Sequence, residues 1–533
     1  MPKKPNSPRR ASKTVAPVPV APAPDTTSPT LSDLPPRHSS SWQLVLSYIV
    51  VLVIAYCCFM VNRGEPNHLF WDENYHVTSA ERYIEGVAHF EPHPPLGLML
   101  IAAGEELLGT NLGIDKHVLI ETKQISGDKL PAGFDFTGMR TMPGLFAVLG
   151  ALCFYGLMYQ LFGNPLHALL LSGLYTFENA FTVHFRAVHL DSFQMCFSIA
   201  YLWHFVYLWQ KNTSIKVWQY ATLASLVGLA IMVKVNAVVL LVAFPALYFK
   251  DLRNLKDTSL SGGFKDFFSK SGAAVATLLL VFFAVFYVHA SLTHTLPSGD
   301  TAAGRQDLEN MSPAYRSYLE QHSALTPSMV VTIAHDYYKF MDKDHLGVPK
   351  LDLTKPGENG SHPMHWPFHD HNINYRWDSA DGKTAYVQLV GNQLAWYSGT
   401  AAVIFCLILI INYRVLAIPP RGSQKTYQLI EVFTGLYVAF MLLHLWLITQ
   451  RVMYLYHYFI GLMLSYVILA LLWQYVSEVH AAFGKYRTRI LAVASAAYLA
   501  SYLFFLPLSN HTPMTKEQCN RRNISISHIV DCH

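Results

Sequence analysis

Two carboxylates stand side by side in Trp71–Asp72–Glu73–Asn74–Tyr75, and a rigid His93–Pro94–Pro95–Leu96–Gly97 turn follows in the same polar segment. Both lie just after the first long apolar run. An acidic residue at a membrane boundary is costly to keep there, so it is a candidate for function. The competing reading is a solvated acidic loop. Other ionisable residues recur at the equivalent ends of later apolar runs: Arg140, Arg186 with Asp191, Lys234, and Arg451 with His457 nearly two helical turns on. A single such charge is explained by snorkelling to the interface. Several at one level are not. Four cations around a carboxylate pair suit a site that holds an anionic headgroup while a carboxylate takes a proton.

The elements that must position these residues follow from composition. The chain has 533 residues, 52% hydrophobic and 14% charged, against about 25% charged in ordinary soluble chains. Apolar runs of about twenty residues recur, long enough to cross a bilayer as helix. They lack the polar face of a helix buried in a soluble protein. We therefore expect an all-α polytopic membrane protein with about eleven spans, at 43–62, 138–162, 165–183, 190–209, 217–233, 235–250, 272–291, 393–412, 428–448, 453–475 and 490–507. Residues 1–40, rich in Pro and Ser with Lys3, Lys4, Arg9, Arg10 and Lys13, read as a disordered cytoplasmic tail. The inner loops then carry Lys211 and Lys216, Lys250 to Lys270, Arg414 to Lys425, and Lys485 to Arg489, as the positive-inside rule requires.

This topology gives a transmembrane module over 41–291 that contains an outer loop, 63–137. A second outer loop spans 292–392, the last helices fill 393–508, and 509–533 forms an outer tail. Ser79–Gly86 reads as an amphipathic surface helix. A polar loop as long as 292–392 is usually functional. Asn310, Asn359, Asn510 and Asn523 head Asn-x-Ser/Thr triplets on the outer side. Cys519 and Cys532 can pair if the tail faces an oxidising compartment. The small net charge of +4 gives no reason to invoke nucleic acid.

The site chemistry matches a glycosyltransferase that uses a polyprenyl-phosphate sugar. Arg or Lys neutralises the leaving phosphate, and Asp or Glu removes the proton of an acceptor hydroxyl. On its motifs the sequence resembles the protein O-mannosyltransferases, membrane enzymes of the GT-C fold. Trp71–Asp72–Glu73 with His93–Pro94–Pro95–Leu96–Gly97, Met139–Arg140–Thr141–Met142–Pro143, and Glu178–Asn179 with Arg186 and Leu190–Asp191–Ser192 stand in the family's order. So do Val233–Lys234, Gly391–Asn392 with Trp396, and Arg451–Val452–Met453–Tyr454–Leu455–Tyr456–His457–Tyr458.

The resemblance implies transfer of mannose, with inversion, from dolichyl- or polyprenyl-phosphate mannose to Ser/Thr hydroxyls of secretory proteins. It implies no further cofactor, and an active site on the non-cytoplasmic face of the endoplasmic-reticulum or bacterial plasma membrane. A paralogous subunit stands among the partners. Asp72 matches the catalytic base, with Glu73 beside it. Arg140, Arg186, Lys234, Arg451 and His457 are the expected donor-binding residues. His93, Pro94, Glu178 and Asp191 shape the loop or meet the acceptor.

The chain departs from the family in three places. Residues 292–392 are too few for a β-trefoil sugar-binding module, Phe185 precedes Arg186 where the family has Ser, and Gln393 replaces a common Pro. The histidines at 362, 365, 369 and 371 read as solvated loop residues, so no metal is expected. Three other functions fit parts of the pattern. One is a GT-C transferase that glycosylates a lipid or glycan. Another is a transporter or scramblase, which would show internal repeats and broken midplane helices. The third is a silent partner of an active paralogue.

Overall fold

Proline, asparagine and glycine mark where the long helices begin and end. The computed structural model describes residues 41–253, 260–523 and 532; the tail expected over 1–40 lies outside them. Helix α1 (Ser41–Phe59) leads into a loop carrying α2 (Glu73–Ile84), α3 (Leu96–Leu108) and α4 (His117–Glu121). Next come α5 (Thr137–Phe162), α6 (Pro165–Thr176), α7 (Asn179–Phe185), α8 (Asp191–Gln210), α9 (Val217–Ile231), α10 (Ala243–Leu252) and α11 (Leu260–Leu292). The second outer loop is not irregular. It folds as α12 (Ala302–Asn310), α13 (Pro313–Glu320), α14 (Pro327–Gly347) and an antiparallel hairpin, β1 (Ile373–Ala380) with β2 (Lys383–Leu389). The chain closes with α15 (Gln393–Arg414), α16 (Gln424–Leu447), α17 (Phe459–Val479), α18 (Ala481–Ser509) and the short α19 (Lys516–Asn520).

Local chemistry explains the ends. Asn164 accepts from the His167 N–H and Pro165 fills the next position, which starts α6. Ser312 and Thr326 cap α13 and α14 in the same way, each followed by proline. Gly163 ends α5 in the left-handed conformation, φ 60°.

Among the described residues, eight helical stretches are long and apolar enough to cross a membrane. The other expected spans take different forms. Residues 165–183 form α6 and α7, broken at Phe177–Glu178, while 217–233 forms the 15-residue α9. Residues 190–209 form α8, whose buried Asp191, Ser192, Gln194 and Ser198 lower its hydropathy. Apolarity therefore supports eight crossings, with these shorter or more polar helices packed among them. The expected surface helix at Ser79–Gly86 is instead the buried end of α2. Val77, Ala80 and Tyr83 join an apolar cluster with Phe286 and Tyr337.

Helix α5 is the central post, packed on α8, α3, α6 and α1. The main core runs from α1 through α5–α9 to α15–α17, and the second cluster ties both outer loops to the upper part of α11. The C-terminal segment pairs Met514 with Thr384 of β2 and is closed by a Cys519–Cys532 disulfide. Gly97 explains part of the His-Pro-Pro-Leu-Gly turn. A Cβ there would lie 2.8 Å from the Leu190 side chain and 3.2 Å from that of Val233, so a larger residue would have to push both aside where α3 meets them.

Candidate active site

The two adjacent carboxylates part company at Trp71, a non-glycine residue held at φ 52°. Glu73 turns inward. Its Oε1 and Oε2 accept from Nε and Nη2 of Arg140, each at 2.8 Å, and both residues have zero exposure. Glu73 also accepts from the N–H of Val188 at 2.8 Å and of Phe70 at 3.2 Å. The rest of the guanidinium donates to the carbonyls of Arg63, Gly64, Pro66 and His68 at 2.8–3.3 Å, and the rings of Phe136 and Phe70 flank it. No N–H of Arg140 remains for a phosphate. The expected donor contact is therefore corrected: Arg140 with Glu73 pins the start of the first outer loop to the top of α5. The expected catalytic part of Glu73 is corrected with it, because its oxygens already have four donors and no solvent.

Asp72 turns outward and is half-buried. Its Oδ2 accepts one long hydrogen bond, 3.4 Å, from the Tyr456 hydroxyl. Tyr456 stacks on His184 at 5.0 Å and on His457 at 4.6 Å, and the ammonium of Lys234 lies 5.3 Å from its ring centre. Behind it runs a buried polar chain. The Tyr375 hydroxyl meets His184 Nδ1 at 3.0 Å, His184 Nε2 meets Asp191 Oδ2 at 2.7 Å, and Lys234 Nζ donates to both Asp191 oxygens at 2.8 Å. Asp191 therefore spends its charge on Lys234 and His184 and stiffens the platform under Tyr456. Burial holds His76, His93 and His189, which lie in the outer loop and turn, below the ordinary histidine range, so they are neutral at pH 7.

Arg451 is half-buried beside this mouth. One Nη meets Nδ1 of His345, at the end of α14, and Nε has no hydrogen-bond partner among the described residues. His457 shares its Nδ1 with the Tyr454 backbone at 3.1 Å, and its ring lies between Tyr456 and Trp366. Arg451 is thus the expected donor-binding cation that keeps unspent N–H groups. Lys234 is engaged by Asp191 but faces Tyr456.

Arg186 departs from expectation. It is buried, its Nη groups donate to Asn510 Oδ1 and to the Asn62 carbonyl, and burial lowers it to about 10. It ties the end of α1 to the end of α18 rather than lining the mouth. The same contact occupies Asn510, one of the candidate glycosylation positions. Glu178 caps α7 and accepts from the Asn392 N–H at 2.7 Å and from Tyr466, which joins α7, α15 and α17. His93 is half-buried, and its carbonyl accepts from Tyr337 at 2.9 Å; Pro94 leads into α3, where the Leu96 N–H reaches the Met232 carbonyl at 3.2 Å.

Three members of this arrangement escaped the sequence reading: His184, Tyr375 and His345. His184 carried a signal, an imidazole seven positions before Asp191 in an apolar stretch. The other two come from the second outer loop, and no local pattern marks them.

Comparison with known proteins gives the family and the fold. A family model described as dolichyl-phosphate-mannose-protein mannosyltransferase matches residues 49–294. One described as the C-terminal four-transmembrane region of protein O-mannosyltransferase matches 349–527. Mannosyltransferase 1 of Candida albicans is 31% identical over 187 residues, covering 35% of this chain and 20% of that protein. Mannosyltransferase 3 of Saccharomyces cerevisiae is 26% identical over 262 residues, covering 48% of this chain and 34% of that protein. Aligned to them, the chain spans about a third or less of the length of these relatives. The solved S. cerevisiae protein O-mannosyltransferase Pmt1-Pmt2 complex, bound to the sugar donor, superimposes with TM-score 0.71 at 14% identity, over 92% of this chain and 93% of that one. The GT-C fold expected from the motifs is therefore the fold observed.

Proposed function

Because this multi-pass membrane chain belongs to the protein O-mannosyltransferase family, we propose that it transfers mannose from dolichyl-phosphate mannose to Ser or Thr hydroxyls of secretory proteins. The observation that carries this reading is the half-exposed Asp72 at the mouth, next to cations and backed by the Tyr456–His184–Asp191–Lys234 platform. The acceptor hydroxyl attacks the anomeric carbon as Asp72 takes its proton. A bond forms from that carbon to the hydroxyl oxygen, the bond to the phosphate oxygen breaks, and the configuration inverts. Arg451, oriented by His345, meets the charge that returns to the dolichyl phosphate. Lys234 adds a second positive charge beneath Tyr456. Glu73 and Arg140 hold the loop that carries Asp72, so they act through it and do not touch the reacting atoms.

In this reading the catalytic module is 41–291, and 292–392 supplies His345 and Tyr375 from above. The helices of 393–508 bring Arg451 and His457, and Met514 of the tail braces the hairpin at Thr384. The site faces the lumen of the endoplasmic reticulum, and the chain pairs with a paralogue, as the two proteins named in the solved complex do. The test is an assay of membranes carrying the full chain, with and without such a paralogue, using labelled dolichyl-phosphate mannose and a Ser/Thr-rich peptide. Label moving to the peptide supports the reading. Label moving only to a lipid or glycan acceptor replaces it with the alternative transferase, and no transfer under either condition overturns it.

A further inference from the structure

The histidines of 362–371, expected to be solvated loop residues with no metal, are partly gathered by the fold. His365 lies in a 3-10 helix, Pro363–Phe368, after which the chain reverses through two left-handed residues, His369 at φ 57° and His371 at φ 61°. The reversal brings Nδ1 of His365 to 3.1 Å and Nδ1 of His371 to 3.2 Å from one oxygen, Asp370 Oδ2. The ligand atoms of these three side chains all lie within 4.8 Å of one another. Asp370 Oδ1 is held by the His371 N–H at 2.9 Å, which aims the other oxygen at both imidazoles.

Two readings compete for this cluster. A hydrogen-bonded relay needs an aligned N–H on each imidazole. Nδ1 of His371 is buried and makes no hydrogen bond among the described residues, although the carboxylate oxygen is 3.2 Å away. A shared ion needs lone pairs that converge on a point between the ligands. Around tetrahedral zinc, bonds of about 2.0–2.1 Å put neighbouring ligand atoms about 3.3–3.4 Å apart, close to the two separations found here. Two imidazoles and one carboxylate suit zinc, whereas calcium and magnesium ask for more oxygen ligands.

We propose that His365, Asp370 and His371 bind one zinc ion through Nδ1, Oδ2 and Nδ1, with a water at the open position. The site is distinct from the transferase mouth and does not depend on that assignment. Its place in the fold gives it a use. Trp366, one residue from His365, donates to Ser361 Oγ at 2.8 Å and accepts from the Trp396 indole at 2.8 Å, and its ring lies parallel to that of His457. His369 accepts from the Gly391 N–H at 2.6 Å. A metal on the outer side of this turn fixes the one loop segment that connects β1 to the Trp366 anchor.

The experiment uses the full chain purified with a tag free of histidine, stripped of metal and titrated with zinc against a chromophoric chelator. Cobalt substitution reports tetrahedral ligation in the visible spectrum. We expect one zinc per chain at micromolar affinity or tighter, an intense cobalt band, and a loss of at least about tenfold in affinity in His365→Ala, Asp370→Asn and His371→Ala. His365 is exposed, so its variant should keep the metal-free melting temperature and decides the matter if His371→Ala does not fold. Zinc that binds only at millimolar concentration, or binding unchanged in His365→Ala and Asp370→Asn, overturns the proposal.

Discussion

Asp72 and Glu73 are neighbours in one turn and yet belong to two different regions of the molecule. Around Glu73 everything is saturated. Its oxygens have four donors, Arg140 has spent its guanidinium, and both are sealed from water. Around Asp72 almost nothing is saturated. It has one long hydrogen bond from Tyr456, and the half-buried Arg451 has a buried Nε with no hydrogen-bond partner among the described residues. The difference teaches which carboxylate keeps its chemistry. A charge whose hydrogen-bonding capacity is full serves the fold, because moving it would strand a buried partner. A charge at a half-open mouth, resting on a rigid aromatic platform, still has lone pairs for a substrate.

That contrast is broken most directly at Asp72. Asp72→Asn keeps the shape and removes the base, so single-turnover transfer from saturating donor should fall about 10²–10⁴-fold, with the melting temperature unchanged. Transfer within about threefold of wild type would take the base away from Asp72. At Glu73 the expected damage is of another kind. Glu73→Gln leaves the Arg140 charge buried without a counter-ion, a loss of about 3–5 kcal/mol. It should appear as a lower melting temperature and poor recovery in detergent, and Arg140→Ala should behave alike. A Glu73→Gln protein that melts normally but turns over slowly would mean that both carboxylates work on substrate.

The cations sharpen the same comparison at a smaller scale. Arg451→Ala should weaken donor lipid binding by about 1.5–3 kcal/mol while leaving the fold intact, and Lys at this position should rescue only in part because it lacks the planar fork. His345→Ala should produce a weaker form of the same defect. Equal donor affinity in Arg451→Ala and wild type, measured by equilibrium binding of the lipid, would remove Arg451 from the site.

Much of this was readable in the residues, and the limits are physical. Long apolar runs announce themselves because a bilayer demands about twenty such residues. The spans that took other forms carry buried polar groups, as α8 does with Asp191 and Gln194, and hydropathy counts these against a crossing even when packing satisfies them. The motifs brought Asp72, Lys234, Arg451 and His457 to one level. They could not separate Arg140 from Arg451, because the partners that spend Arg140 include the backbone carbonyls of Arg63, Gly64, Pro66 and His68, which have no side-chain signature. Arg186 was misread because its partners, the Asn510 side chain and the Asn62 carbonyl, come from far-off parts of the sequence. His345 and Tyr375 lie in the loop whose helices and hairpin were not expected at all.

The smallest expected effect belongs to the saturated region and concerns pH. Glu91, in the first outer loop, is buried, and burial pushes its carboxyl up to about 7. The cations nearby do not restore it, because Lys123 and Arg82 are held by Asp307 at 2.8 and 3.2 Å. The proton on Glu91 therefore favours the folded loop. That contribution is complete below the ordinary glutamate pKa and is lost as pH rises through about 7. Between the ordinary glutamate pKa and about 7 the loop should weaken by no more than about 1.4 kcal/mol per pH unit, the limit for one proton, and above about 7 it should weaken no further. Hydrogen exchange across residues 73–91 should accordingly be slower at pH 6 than at pH 8 once corrected for intrinsic rates. Glu91→Gln mimics the protonated form and should flatten this difference while Asp72-dependent transfer persists. A wild-type loop equally protected at both pH values would show that Glu91 stays ionised, with Lys123, Ser79 and Arg82 outweighing its burial.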